Sequence, residues 1–80
     1  MPLYKLGDFM PVGAQYVEPA GVMIDPKLLA GVTCEGRFRD RLLVLHFKEG
    51  NSISVRFFYR EENADDTYLT AEAIRKASLY

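Results

Sequence analysis

Between Arg41 and Arg60 apolar residues recur at every second position, and this alternation constrains the fold more than any other feature of the chain. Leu43, Leu45 and Phe47 fall on one side of an extended segment 41–48, and Ile53, Val55, Phe57 and Tyr59 on one side of a segment 52–60. A helix would scatter these residues around its circumference, whereas a strand gathers them on one face. Two such segments predict an antiparallel hairpin over 41–60. Matching apolar to apolar pairs Phe47 with Ile53, Leu45 with Val55 and Leu43 with Phe57, which makes Glu49-Gly50-Asn51 a three-residue loop. In that register Leu42 faces Phe58 and Val44 faces Arg56.

The same period extends upstream. Val32, Cys34 and Phe38 share one side of a segment whose other side carries Thr33, Glu35, Arg37 and Arg39, so a further half-buried strand is expected before the hairpin. The first third is different: it holds all four prolines (Pro2, Pro11, Pro19, Pro26) and four of the six glycines (Gly7, Gly13, Gly21, Gly31). Proline fixes φ and lacks an N–H, which excludes a long helix here. Short extended pieces are expected at Leu3 to Leu6, Ala14 to Val17 and Gly21 to Ile24. Asp25-Pro26 before Lys27-Leu28-Leu29 predicts one helical turn capped by Asp25, ending at Gly31.

After the hairpin, the acidic run from Glu61 to Asp66 reads as a solvated loop. Thr70 then reads as the N-cap of a helix over about 70–78, with Leu69 and Ile74 as a hydrophobic staple, Glu72 near its positive end and Arg75 and Lys76 near its negative end. Ala73, Ile74 and Ala77 make a narrow stripe suited to docking on a sheet. The resulting expectation is an α+β domain spanning 1–80. It has a small antiparallel sheet of three to five strands around the hairpin, one C-terminal helix and an irregular Pro/Gly-rich N-terminal third.

Composition limits what such a domain can do. Ten Lys plus Arg against eleven Asp plus Glu leave a net charge of −1, which removes any global attraction to nucleic acid or to an anionic membrane. No apolar run reaches the length of a membrane span, and the N-terminus lacks the cationic and apolar regions of an export signal. The single cysteine, Cys34, cannot close a disulfide within the chain, so a reducing, cytoplasmic setting is expected.

Catalysis and metal binding find little support. One Cys and one His cannot build a zinc site, and Glu61, Glu62, Asp65 and Asp66 lack the spacing of a calcium loop, so neither metal nor other cofactor is expected. Cys34 and His46 are the one conceivable nucleophile and base. Their parity puts Cys34 with the main apolar face and His46 with Leu42, Val44 and Lys48 on the reverse face, so they should point apart. No phosphate-cradling glycine loop or nucleophile elbow is present. The chain is therefore read as a non-enzyme.

The reverse face of the hairpin is the more informative feature, because Leu42, Val44 and Phe58 make it apolar as well. A sheet apolar on both sides needs two covers. The helix supplies one. The other comes either from Phe9, Met10, Val12 and Tyr16 of the same chain or from another chain. Arg37, Arg39 and Arg56 lie on that same face, within a stretch (35–60) where Arg37, Arg39, Arg41, Lys48, Arg56 and Arg60 outnumber Glu35, Asp40 and Glu49. Apolar residues with arginine beside them are typical of protein interfaces. The expected function is therefore protein binding, as a homodimer, adaptor or inhibitor, through Leu42, Val44, Phe58, Arg37, Arg39 and Arg56. The alternative is that the same arginines bind nucleic acid.

Overall fold

The computed structural model describes residues 3–37, 40–58 and 65–79. The expected positions Phe38, Arg39, Tyr59, Arg60 and 61–64 lie outside the described residues. The fold is α+β, with a four-stranded antiparallel sheet, a separate two-stranded one and a C-terminal helix. Among the described residues six strands run in chain order: β1 Tyr4–Lys5, β2 Tyr16–Val17, β3 Met23–Ile24, β4 Leu29–Arg37, β5 Asp40–Phe47 and β6 Ser52–Phe58. The helix α1 spans Asp66–Ser78.

The proline-rich third forms what its breakers allow. Strands β1, β2 and β3 have two residues each and fall within the three extended pieces expected there. Single 3-10 turns at Leu6–Phe9 and Pro26–Leu28 separate them from their neighbours. The second of these begins as its sequence requires: the Asp25 carboxylate accepts a hydrogen bond from the Lys27 N–H at 3.0 Å, and Pro26 takes the first position, where a missing donor costs nothing. This turn ends at Leu28 rather than at Gly31, because the chain is already extended at Leu29 and enters β4.

The large sheet has the order β2-β6-β5-β4, and the hairpin β5–β6 forms its centre. Its register corrects the sequence expectation by two residues. Leu43 pairs with Val55 and Leu45 with Ile53, so Leu42 faces Arg56, Val44 faces Ser54, and Phe58 faces Asp40. Burial alone selects only parity, and a shift of two keeps every side chain on its face. Turn chemistry decides between the registers. The Gly50 N–H donates to the Phe47 carbonyl at 2.9 Å and the Phe47 N–H to the Asn51 carbonyl at 3.0 Å, leaving Lys48-Glu49-Gly50 as the loop. Gly50 closes it at φ 96°, and a three-residue hairpin wants glycine at its last position.

One face of this sheet carries the core. Leu43, Leu45, Val55 and Phe57 are buried against Leu6, Ile24, and Ala71 and Ile74 of α1. Fully burying a side chain of this kind stabilises by roughly 1.5–3 kcal/mol, so this cluster is the main source of stability. Tyr16 pairs with Phe57 across β2 and β6, their ring centroids 6.0 Å apart, and Phe9 and Met10 pack on the same cluster.

The helix starts four residues before the expected position. Asp66 and Thr67 form its buried first turn, and Thr70 lies within it, fully buried, its hydroxyl donating to Met10 Sδ at 3.4 Å. Acidic residues near the positive end of a helix dipole favour starting there, which the reading of 61–66 as one continuous loop overlooked. Leu69 is half exposed and is no staple, and Glu72 pairs with Arg75 at 2.6 Å. Arg75 and Lys76 occupy the last turn, as expected.

Candidate functional site

The packing described above uses only one face of the sheet. Phe9, Met10 and Tyr16, offered as cover for the reverse face, lie on the core side with α1, and Val12 is fully exposed. Among the described residues no element packs over the reverse face. Val17 is 55% and Phe58 47% exposed, and Leu42 is half-buried. Val44 is buried, flanked in register by Thr33 and Ser54 and along its own strand by Leu42 and His46.

Strand pairing sets these residues out in rows. The register places Val17, Arg56, Leu42 and Glu35 side by side across β2, β6, β5 and β4. Phe58, Asp40 and Arg37 form the next row, and Ser54, Val44 and Thr33 the row on the other side. The face thus has an aliphatic and aromatic group, Val17, Leu42, Val44 and Phe58, with charged side chains set among them.

Those charges are balanced. The Arg56 Nε lies 3.3 Å from the Asp40 Oδ1, with the two side chains 58% and 64% exposed. Arg37 occupies the register position on the other side of Asp40. Of the three arginines expected to form a cationic stripe, Arg56 therefore pairs with a carboxylate, Arg37 is placed by its backbone register alone, and Arg39 lies outside the described residues. Sequence parity gave no account of Asp40, which lies on the same face as Arg56 and pairs with it. Val17 was also overlooked, since a two-residue strand carries no periodic signal.

The other candidates for chemistry stay apart. Cys34 is exposed on β4 opposite Leu43, on the core side of the sheet, whereas His46 faces Gly31 and shares a 2.9 Å hydrogen bond with Thr33 Oγ1 on the reverse side. Among the described residues no three His, Cys, Asp or Glu side chains gather as a metal site would require. A groove of about 230 Å³ beside the β5–β6 loop is lined by Leu3, Met23, Leu28, Phe47 and Ile53 together with Asp25 and Glu49. Asp25 there is engaged in capping the Pro26–Leu28 turn. No helix among the described residues is long and apolar enough to cross a membrane.

Comparison of the chain with protein-family models, with curated proteins and with solved structures finds no match.

Proposed function

We propose that this chain is a small protein-binding module that docks through the reverse face of its four-stranded sheet. The carrying observation is the pair of exposed side chains Val17 and Phe58 beside half-buried Leu42 and buried Val44, set around the Arg56–Asp40 ion pair. Surface of this kind is favourable to bury against a second apolar surface, at roughly 25 cal/mol per Å² of apolar area removed from water. Arginine beside aromatic and aliphatic residues is the composition of interface centres. Catalysis finds no support in the separation of Cys34 and His46 on opposite faces. A reducing, cytoplasmic setting suits the exposed single thiol.

Docking to protein and docking to nucleic acid differ in their response to salt. Phosphate binding weakens steeply as salt rises because each contact releases counterions, whereas apolar docking changes little. Balanced charge on the face favours the first class of partner, since a phosphate would have to displace Asp40 from Arg56. The test is affinity capture from an extract of the native host with the wild type, Leu42→Asp and Phe58→Asp, at low and high salt. Under this reading one protein is retained by the wild type at both salts and lost with both variants, which fold normally by circular dichroism. Recovery of nucleic acid that disappears at high salt, and with Arg56→Ala, would replace this reading with the nucleic-acid one.

A further inference from the structure

The two edges of the large sheet are not equivalent. At one end β2 is two residues long and runs into Glu18-Pro19, so it offers almost no backbone to an added strand. At the other end β4, with nine residues, is the longest strand among the described residues and pairs on one side only among them. It carries neither proline nor lysine, and its one register irregularity, between Leu29 and Gly31, leaves the part Gly31 to Glu35 regular. Its residues Ala30, Thr33, Cys34, Glu35 and Gly36 are exposed. Cys34 is informative here: it lies on the core side opposite Leu43, which is fully buried, yet is itself exposed, so the cover over that face stops short of the edge.

We propose that β4 pairs antiparallel with β4 of a second copy of this chain, joining the two sheets into one of eight strands. The strand is complementary to itself. Centred on its midpoint, the regular part Gly31 to Glu35 puts Thr33 opposite Thr33, Val32 opposite Cys34 and Gly31 opposite Glu35. No like charges meet, and a threonine pair is a favourable cross-strand neighbour. A two-fold axis through Thr33 also uses up both long edges in one closed contact, leaving only the two-residue β2 edges outside. A different chain adding to β4 would leave its own far edge open, whereas the two-fold contact closes both. This contact does not require the reverse-face docking, although Thr33 lies in the outer row of that face, and it would bring the two open faces into one surface.

The test is molar mass by size-exclusion light scattering across the micromolar range, with thiol cross-linking as a second readout. Twice the 9.1 kDa chain mass is expected for the wild type and for Thr33→Val. Thr33→Lys opposes two cations at the axis and should halve that mass while keeping its circular dichroism spectrum. In this register the two Cys34 residues are diagonal neighbours at about 7–8 Å, so a short bismaleimide should link the wild-type dimer through them. That link needs no variant to fold. A monomer mass throughout, or absence of the link in a dimer, overturns the proposal. So does a dimer that survives Thr33→Lys but is lost with Phe58→Asp, which would move the contact to the reverse face.

Discussion

Arg56 on β6 reaches diagonally across to Asp40 on β5, Nε to Oδ1 at 3.3 Å, rather than to Val44 on the same strand, as the sequence pairing had it. The contact follows from the register in which Asp40 faces Phe58 and Leu42 faces Arg56. Both side chains are more than half exposed, so the pair contributes little to stability. A double-mutant cycle with Arg56→Ala and Asp40→Ala, read by urea denaturation, should give a coupling of about 0.5 kcal/mol that shrinks at high salt. A coupling above about 2 kcal/mol would contradict the exposed placement of the pair.

Two adjacent aromatics separate the faces. Phe57 is 3% exposed and belongs to the core, whereas Phe58 is 47% exposed on the open side. Phe57→Ala should cost about 3–5 kcal/mol, enough to unfold most molecules of a domain this small. Phe58→Ala should cost about 1 kcal/mol or less and act on partner binding instead. Equal losses in urea midpoint would mean that Phe58 is covered.

Gly36 and Gly50 both have positive φ, 98° and 96°, but only one of them is crowded. A Cβ on Gly36 would overlap the Asp40 carbonyl oxygen of the neighbouring strand, while one on Gly50 meets nothing. Gly50→Ala should therefore cost about 1 kcal/mol from backbone conformation alone. Gly36→Ala should cost more, about 2–3 kcal/mol, because the strands must part as well. Thermal unfolding of the two variants ranks them, and the reverse ranking would contradict the close approach of β4 and β5.

Thr70 distinguishes a helix that starts at Asp66 from one that starts at Thr70. An N-cap accepts aspartate readily. Thr70 is instead fully buried in mid-helix against Met10, so Thr70→Asp should cost about 3 kcal/mol or more through an unpaired buried charge. A stable, fully helical Thr70→Asp variant would contradict this placement.

These cases show which parts of the molecule are legible in the amino-acid sequence. Alternation placed Leu43, Leu45, Val55 and Phe57 on one face and Leu42, Val44, Arg56 and Phe58 on the other, because parity is a local property of an extended chain. The cross-strand partners were misassigned because apolar matching is indifferent to a slip of two. Gly50 at the end of its loop held the missing information. The Asp25-Pro26 turn was legible because its cap lies within two residues. The beginning of α1 was not, since Asp65-Asp66 suits a solvated loop as well as a helix start, and the packing of Thr67 and Thr70 that settles it is long-range. Which face the N-terminal third covers is also a tertiary outcome, and no spacing of Phe9, Met10 and Tyr16 encodes it.

The sheet keeps one face covered and presents the other. This is tested most directly by side-chain NMR of the dilute protein with a soluble paramagnetic probe. Signals of Val17, Leu42 and Phe58 should broaden strongly, while those of Leu43, Val55 and Phe57 stay sharp. Equal protection of the two sets in the monomer would contradict the account, because the reverse face would then be covered by its own chain.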